Sequence, residues 1–302
     1  MSSGNLLVAF QGEHGAFSEE AVLKNKDVLA ELDGSKRGLE TIPYPSFEDV
    51  IKAVEKSWVD YGILPIENSQ EGTISETYDL LIKYNVYAVL DIKLRVVHCL
   101  ISHKDTEIKD IKKVYSHVQG LKQCSDFIDR YRWEKIPTYN TAGSVQIILD
   151  HNDRSEAAIA SKKAADIYNM KILKEGIENN DRNYTRFFII SNTQQTELEY
   201  HLSNFSAKFD NIYKEIPIKT TVIFSTYHTP GALYGCIGEL ANRGINISKL
   251  ESRPNREKNW EYFFFLDFEG SIDDKKCKEA IENLRKKASF LKVLGSYICL
   301  ES

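Results

Sequence analysis

The sequence has few features typical of metal sites or disulfide frameworks. Its cysteines are an odd number, widely scattered and without a CxxC pair: Cys99, Cys124, Cys236, Cys277 and Cys299. Such a set favours reduced thiols in a cytosolic protein. The seven histidines include no HExxH and no other pair at metal-ligand spacing. We therefore predict that the protein has no metal site.

An excess of positive charge is also missing. The formal net charge is -5 at pH 7, whereas a nucleic-acid-binding protein typically has a basic patch or a high pI. We expect no nucleic-acid partner. A negatively charged protein that binds an anionic ligand has to hold it with local donors, because its overall field repels the ligand.

The N-terminus lacks the pattern of a signal peptide. It has no basic flank, and its apolar run from Leu6 to Phe10 spans only five residues. That run is too short for a signal sequence or a membrane span. We predict a cytoplasmic protein without membrane association. This address argues against glycosylation of Asn183, although Asn183-Tyr184-Thr185 forms an acceptor sequence, since that modification belongs to secreted chains.

The first two thirds of the chain alternate short apolar runs with helix-period segments. The runs LLVAF, YGILPI, KKVYS, AAIAS and TRFFIIS read as strands. Ser46, with Asp49 three residues later, is typical of a helix start. One helix face is then predicted from Phe47, Val50, Ile51, Val54 and Trp58. Alternation of this kind indicates an α/β fold with mostly parallel strands. The stretch VYAVLDIKLRVVHCLIS fits either two strands or a hinge crossing.

Several strand ends lead through small or hydroxyl-bearing residues into a helix. These junctions are Gly12–Ser18, Asn68–Thr73, Ser116–Gly120, Thr141–Ser144 and Ser161. In open α/β sheets, ligands bind beyond the carboxyl ends of the strands. Helix N-termini there carry free N–H groups and a partial positive charge, which suits carboxylates. The junctions therefore fit an anion-binding cleft, and each one alone fits an ordinary cap or turn.

The chain changes character near residue 193. Residues 193–217 are polar and weakly periodic, which indicates a linker. Residues 218–302 then give the order β-α-β-β-α-β, a ferredoxin-like domain. In that domain a helix is predicted from GALYGCIGELANRG, and strands are predicted from TTVIFSTY, INISKLES, WEYFFFLDF and LKVLGSYICL.

Six motifs in order resemble the prephenate dehydratase family. They are QGEHGAFSEEA, PIENSQEG, SHVQGLKQC, NTAGS, AAIASKKAADIY and NYTRF, and the resemblance covers essentially residues 6 to 191. The segment HTPGALYGCIGELANRGINISKLESRP resembles the ACT regulatory domain that follows the catalytic domain in this family. The resemblance implies a bilobal catalytic domain, similar to a periplasmic binding protein, over 1–192. A linker over 193–217 and an ACT domain over 218–302 would follow.

The family converts prephenate to phenylpyruvate with loss of water and carbon dioxide, in phenylalanine biosynthesis. The resemblance implies this activity without a cofactor, inhibition by L-phenylalanine, and a homodimer or homotetramer. No chorismate mutase segment precedes the first motif, so we expect prephenate to come from another protein. The chemistry fits the residues, because a substrate that becomes aromatic needs positioning and hydrogen bonding, and no covalent intermediate.

The resemblance also implies site residues. Thr185 matches the family's catalytic threonine and would donate a hydrogen bond to the leaving hydroxyl, with Glu67 as a possible general acid. Arg186 would clamp a carboxylate or, since neighbours in a strand face opposite sides, support the structure. The substrate-binding set predicted in this way is Asn68, Ser69, Gly15, Ser18, Ser116, Gln119, Thr141, Ala142, Arg186 and Phe187. Ala16 departs from the family, which often has a threonine there.

The ACT resemblance implies a phenylalanine site. Its predicted residues are Gly231, Ala232, Leu233, Glu251, Ser252, Arg253 and Pro254. Two other functions remain open on sequence: an arogenate dehydratase, and a non-catalytic amino-acid sensor. An aromatic amino-acid hydroxylase would need an iron site of two histidines and a carboxylate, and that catalytic domain is absent.

Overall fold

A computed structural model describes residues 4–34, 37–194, 217–255 and 261–301. The described chain forms two lobes and a C-terminal domain. The first lobe contains β1 (Leu6–Gln11), α1 (Phe17–Lys24), α2 (Lys26–Asp33), β2 (Leu39–Tyr44), α3 (Phe47–Glu55), β3 (Tyr61–Asn68), β4 (Gly72–Thr73), α4 (Ser75–Lys83) and β5 (Tyr87–Arg95). It is completed by β11 (Tyr184–Ser191), which returns from the second lobe.

The second lobe is a five-stranded sheet in the order β10-β6-β9-β7-β8. Its elements are β6 (Cys99–Ser102), a 3-10 turn (Ile108–Asp110), β7 (Lys113–His117), α5 (Val118–Gln123), α6 (Ser125–Tyr131), β8 (Glu134–Thr138), α7 (Gly143–His151), β9 (Glu156–Ala160), α8 (Lys162–Ile167) and β10 (Lys171–Glu175). For the stretch VYAVLDIKLRVVHCLIS, two strands and a hinge crossing were both open, and the structure shows both. It forms two strands, β5 and β6, and the chain crosses between the lobes where β5 ends and β6 begins.

The C-terminal domain follows the predicted β-α-β-β-α-β order. Its elements are β12 (Ile218–Thr226), α9 (Ala232–Ala241), β13 (Ile247–Pro254), β14 (Tyr262–Glu269), α10 (Lys275–Lys287) and β15 (Ala288–Glu301). The two helices pack on one face of the sheet through an apolar cluster that includes Phe224, Leu240, Leu266 and Leu284. The predicted ferredoxin-like fold is confirmed. Of the predicted linker, residues 195–216 lie outside the described residues, and the domain boundaries stay predictions.

Helix α3 shows how local sequence sets an element. Ser46 caps it by accepting a hydrogen bond from the Asp49 N–H at 3.1 Å, as the sequence predicts. Val50, Ile51 and Val54 are fully buried on its inner face. Trp58 was predicted on the same face, and this prediction is wrong. The helix ends at Glu55, and the Trp58 side chain is 66% exposed.

The C-terminal domain shares a sheet with the first lobe. The last residues of β15 pair in parallel with β5, so that Ile298 lies opposite Leu90. A ten-stranded sheet results, with the main order β13-β14-β12-β15-β5-β11-β3-β1-β2. Gly295 lies close to this junction with φ at +146°, and a Cβ there would meet the Ala88 carbonyl oxygen at 2.3 Å. Only glycine allows the backbones to approach so closely.

A buried ionic cluster lies on one face of the shared sheet. Arg186 of β11 donates from Nε to Asp91 at 2.9 Å and from Nη1 to Asp267 at 2.6 Å. Its Nη2 donates to the Tyr297 hydroxyl at 3.2 Å. Asp91 belongs to the first lobe, and Asp267 and Tyr297 belong to the C-terminal domain. The guanidinium therefore joins two parts of the chain that are far apart in sequence.

We expect Arg186→Leu to destabilise the protein by about 3–5 kcal/mol, because it leaves buried carboxylates without their cation. Arg154→Leu is the matched control, since Arg154 and its partner Asp105 are both exposed, at 69% and 54%, and its loss should cost under about 1 kcal/mol. Urea unfolding of both variants measures the difference. Adding Asp91→Asn and Asp267→Asn to Arg186→Leu should recover part of the loss. Equal stability of the two arginine variants would contradict this role.

Candidate active site

A cavity of about 530 Å³ lies between the two lobes. The first lobe lines it with Gln11, Gly12, Glu13, Ala16, Phe17, Ser18, Pro45, Ser46, Phe47, Pro65, Asn68, Ile74, Glu76, Val96, Thr185 and Phe187. His98, at the start of the second lobe, lines it together with His117, Gln119, Gly120, Gln123, Tyr139, Asn140, Thr141 and Ala142. Seven of the twelve predicted catalytic and substrate-binding residues therefore meet here: Thr185, Asn68, Ser18, Gln119, Thr141, Ala142 and Phe187.

The electrostatics of this cavity come from helix N-termini and amides. Four helices of eight or nine residues, α1, α3, α4 and α7, begin at or beside lining residues. Their first N–H groups carry partial positive charge that favours carboxylates. No lysine or arginine is among the described residues that line the cavity, while Glu13 and Glu76 are. An anionic ligand would have to be held by oriented dipoles.

Strand β11 places Thr185 at the cavity. Thr185 lies opposite Asn68 and Phe187 lies opposite Pro65, and all four side chains belong to the cavity lining. The register shifts between Arg186 and Phe187, so the two strands differ by one residue there. This bulge keeps both pairs on the cavity face although their spacing on β3 is three residues and on β11 is two.

Asn68 fixes the direction of a chain of side-chain amides. Its Oδ1 accepts from the backbone N–H groups of Gln70 and Glu71 at 3.0 and 3.1 Å. Its Nδ2 therefore has to be the donor, to Thr185 Oγ1 at 3.0 Å and to Asn183 Oδ1 at 2.8 Å. Because the Thr185 oxygen accepts this bond, its O–H remains available to donate into the cavity.

The same logic fixes the tautomer of His98. Asn183 Oδ1 accepts from Asn68, so its Nδ2 donates to Gln123 Oε1 at 3.1 Å. That oxygen also lies 2.9 Å from His98 Nε2, which must carry a hydrogen to bond to it. Burial lowers the pKa of His98 from its ordinary 6.5, which keeps the ring neutral. His98 Nδ1 is then an acceptor, and it has no hydrogen-bond partner among the described residues.

Two predicted site residues turn away from the cavity. Arg186 faces the buried cluster with Asp91 and Asp267, as the structural alternative predicted. The expectation that Glu67 acts on the substrate is not supported by its position. Glu67 lies opposite Arg186, and its carboxylate pairs with Lys249 of the C-terminal domain at 2.7 Å. Strand alternation puts both on the face opposite to Thr185.

Three other predicted substrate contacts have structural partners instead. Gly15 (φ +92°) packs against the second lobe, where a Cβ would lie 2.7 Å from Ala164 Cα. Ser69 Oγ accepts from the Tyr184 N–H at 2.9 Å and so fastens the loop after β3 to β11. Ser116 is fully buried, and its hydroxyl donates to the Ile159 carbonyl at 2.8 Å. None of the three is among the lining residues.

The structure adds three residues that the sequence did not single out as site residues: His98, Gln123 and Asn183. Asn183 was considered only as a glycosylation acceptor, and its side chain is fully buried, which argues against that modification. His98 follows the crossing between the lobes, and Gln123 ends α5. A polar residue inside an apolar stretch was the one available signal, in VVHCLIS. His117 both caps α5, by accepting from the Gln119 N–H at 3.3 Å, and lines the cavity.

Strand alternation in β13 places the residues predicted for the phenylalanine site on two opposite faces of the strand. Pairing across β12, β14 and β13 aligns Ser225, Phe263 and Arg253, so the start of α9 and the end of β13 lie at the same edge. Gly231 precedes α9 with φ at +78°. Ser252 and Pro254 are exposed. Arg253 instead faces the first lobe, where it donates to Ser75 Oγ at 2.7 Å and to Asp79 at 3.2 Å.

All five cysteines are free thiols. Within the described ranges, no group of three His, Cys, Asp or Glu side chains is arranged to hold a metal ion. No described helix is long and apolar enough to cross a bilayer.

These features define a two-lobed protein whose cleft between the lobes is lined by helix N-termini and polar side chains. The family model for prephenate dehydratase matches residues 8–195. The chain belongs to the prephenate dehydratase family, which confirms the resemblance found in the sequence. The chloroplastic arogenate dehydratase/prephenate dehydratase 2 of Arabidopsis thaliana is 35% identical over 299 residues, which cover 96% of this chain and 72% of the relative.

Two solved structures resemble the whole chain. A prephenate dehydratase from Arthrobacter aurescens in complex with L-Phe has a TM-score of 0.79 and 25% identity, covering 96% of this chain and 89% of that one. A protein described as GqqA, a novel type of quorum quenching acylase, has a TM-score of 0.81 and 25% identity, covering 97% and 98%. The predicted fold class, a two-lobed α/β catalytic domain followed by a ferredoxin-like domain, is confirmed.

His98 should make the stability of the protein depend on pH. Near pH 6.5 the His98 ring takes up a proton in the unfolded chain but not in the folded chain. The free energy of unfolding therefore has its full value above that pH. As pH falls below it toward the folded pKa, stability should fall by up to about 1.4 kcal/mol per pH unit. Urea unfolding at pH 7.5 and 5.5 measures this.

The variant His98→Gln should lose less stability than the native protein over the same interval. His151→Gln is the matched control, because the His151 side chain is 48% exposed beside Glu156. An unchanged pH dependence in His98→Gln would contradict the assignment of a buried neutral ring.

Proposed function

We propose that the protein is a prephenate dehydratase that converts prephenate to phenylpyruvate, carbon dioxide and water. The observation that carries the proposal is the hydroxyl of Thr185, a residue that lines the cavity and is 9% exposed, because Asn68 orients this hydroxyl so that its hydrogen can be donated. Membership of the family supports the substrate class. No cofactor is required, because the substrate's own aromatisation supplies the driving force.

The reaction needs a proton for the leaving hydroxyl, and it needs the breaking bond to the carboxylate to be aligned with the ring π system. The bond between the ring and its carboxylate breaks, and its electron pair enters the ring. The carbon–oxygen bond on the opposite ring carbon breaks, and the hydroxyl leaves as water after it gains a proton. Thr185 stabilises the leaving oxygen by a hydrogen bond and relays to it a proton that comes from solvent, since a free threonine is too poor an acid to supply one alone. Phe17, Pro65 and Phe187 provide apolar walls for the ring.

Two carboxylates enter this cavity with the substrate. The N-termini of α1, α3, α4 and α7 converge there and provide N–H donors, which offset the absence of a lining lysine or arginine among the described residues. The net charge of -5 makes such local donors necessary. In this site, binding energy is used to orient the substrate, and this orientation raises the rate. The thermodynamic driving force comes from aromatisation of the substrate itself.

Replacing the Thr185 hydroxyl should abolish most turnover without unfolding the protein. We expect Thr185→Val to lower kcat by about 100- to 1,000-fold, the typical cost of removing one donor to a developing charge. Thr185→Ser keeps the hydroxyl and should retain much more activity. Thr106→Val is the matched control, since Thr106 is 1% exposed and its hydroxyl has no partner among the described residues. Full turnover by Thr185→Val would refute this mechanism.

Arogenate is the competing substrate, because it differs only in carrying an amine where prephenate carries a ketone. Purified protein assayed with each substrate at equal concentration decides between them through kcat/KM. A strong preference for arogenate would replace the prephenate assignment with an arogenate dehydratase. Turnover of neither substrate, together with phenylalanine binding, would favour the amino-acid sensor.

An acylase activity belongs to the solved protein described as a quorum quenching acylase. Acyl transfer by a hydroxyl needs a general base beside the nucleophile. The Thr185 oxygen here accepts from an amide, Asn68, and no basic side chain bonds to it among the described residues. The cavity therefore favours the dehydratase.

We further propose that L-phenylalanine binds the C-terminal domain and inhibits turnover. The support is the ferredoxin-like fold, the αL Gly231 before a ten-residue helix, and the exposed Ser252 and Pro254 at the same sheet edge. The homologous Arthrobacter aurescens structure contains L-Phe. The cytoplasmic address and a homodimer or homotetramer belong to the same proposal, and light scattering tests the assembly.

Helix α4 provides a physical path between the two sites. The C-terminal domain holds it at both ends: Arg253 at Ser75 and Asp79, and Lys292 at the Leu81 carbonyl, 2.9 Å away, and at the Tyr84 carbonyl. The residues at its start, Ile74 and Glu76, line the cavity. A shift of β13 would therefore be passed to the cavity wall, as coupling between two sites requires.

Arg253 should act in this coupling and not in ligand binding. We expect Arg253→Gln to bind L-phenylalanine with little change by calorimetry, while inhibition of turnover weakens by about 5-fold or more. The sequence expectation, that Arg253 contacts the ligand, gives the opposite result. Lys83→Gln is the control, because Lys83 is an exposed residue of the same helix. Loss of phenylalanine binding in Arg253→Gln would return this residue to the ligand site.

A further inference from the structure

His98 is a buried acceptor at the cavity that the threonine mechanism does not use. The residue is 2% exposed and lines the cavity. Its Nε2–H is committed to Gln123, and its Nδ1 is buried without a partner among the described residues. An unpaired buried nitrogen costs free energy unless a ligand satisfies it. We propose that His98 Nδ1 accepts a hydrogen bond from the ring hydroxyl of the substrate.

The chemistry of the substrate selects that hydroxyl. Prephenate carries two carboxylates and a ketone, which only accept hydrogen bonds, and a single O–H donor on the ring. A lone pair on a neutral imidazole can pair only with that donor. The inference rests on the proposed function and deepens it. If arogenate were the substrate, its ammonium group would be a second possible donor.

The amide chain ties His98 to Thr185. Asn68, Asn183 and Gln123 link the two side chains through hydrogen bonds of 2.8 to 3.1 Å. A ring hydroxyl that donates to His98 turns its oxygen lone pairs toward another group, and Thr185 is the donor that can use them. His98 thus orients the leaving oxygen, and Thr185 protonates it. The position of each partner depends on the same buried network.

Two variants separate the two nitrogens of His98. In His98→Gln the side-chain amide can still donate to Gln123, but the Nδ1 acceptor is lost. In His98→Asn an acceptor remains near the Nδ1 position, but the bond to Gln123 is lost. We expect His98→Gln to lower kcat/KM for prephenate by roughly 5- to 150-fold, the cost of an unpaired buried hydroxyl. His98→Asn should retain more activity.

The pH profile gives a readout that a purely structural role would not move. Protonation of Nδ1 removes the acceptor, so native kcat/KM should fall in acid with a limb that His98→Gln lacks. Other titratable groups nearby are Glu178, which accepts from the backbone N–H of His98 at 3.0 Å, and the lining residues Glu13, Glu76 and His117. If the limb persists in His98→Gln and disappears in His117→Gln, the inference is wrong.

Binding of two non-reacting analogues tests the contact directly. The tetrahydro analogue of prephenate keeps the ring hydroxyl but cannot aromatise, and its deoxy counterpart lacks the hydroxyl. Calorimetry should show that His98→Gln weakens binding of the hydroxyl analogue only, with His151→Gln as the control. Equal loss with both analogues, or no loss, would overturn the inference.

The outcomes also distinguish the inference from the proposed function. If native protein turns over neither prephenate nor arogenate, the proposed function fails, whatever the variants do. If native protein is active and His98→Gln matches it in kcat/KM, in pH profile and in analogue binding, only the role of His98 fails. A loss in His98→Asn with full activity in His98→Gln would show that His98 acts solely through Gln123.

Discussion

The buried guanidinium of Arg186 is the contact on which the relation between the cleft and the C-terminal domain depends. It binds Asp91 in the first lobe and Asp267 and Tyr297 in the C-terminal domain. An arginine with an 11% exposed side chain is stable only with such partners, because a buried charge without them is costly. Since neighbours in a strand face opposite sides, holding Arg186 in the ionic cluster turns Thr185 toward the cavity. One strand therefore serves the chemistry on one face and the domain junction on the other.

The second organising feature is a chain of side-chain amides, in which Asn68 donates to Asn183 and Asn183 donates to Gln123. Two backbone N–H groups after β3 orient Asn68, and this orientation passes through Asn183 and Gln123 to His98. Asn68 and Asn183 each have a donor and an acceptor committed, so neither amide can flip without leaving a buried group unpaired. The network presents an O–H donor at Thr185 and a nitrogen acceptor at His98. Together these groups match a leaving hydroxyl, which both accepts and donates.

Much of the architecture was predictable, because it rests on local patterns. Hydrophobic periodicity predicted the alternating strands and helices, and the Ser46 cap predicted the start of α3. The order of motifs predicted the family and Thr185. Trp58 was misplaced, because Ser57 has φ at +57° and the chain leaves the helix before Trp58. Glu67 was misplaced for another reason: it neighbours Asn68 on β3 and so faces the opposite side, where it pairs with Lys249, 182 residues away in the sequence.

The sequence by itself determined the α/β class, the ferredoxin-like C-terminal domain and the threonine of the site, since each follows from periodicity or from a contiguous motif. Tertiary structure alone decided which side chains pair with one another in hydrogen bonds and ion pairs. Arg186 and Asp267 are 81 residues apart, and Asn68 and Thr185 are 117 apart. No local pattern encodes such contacts, because they form only when distant strands of the first lobe pair and the C-terminal domain joins their sheet. His98 became an acceptor for the same physical reason: its role is set by the hydrogen bonds of residues remote in the chain.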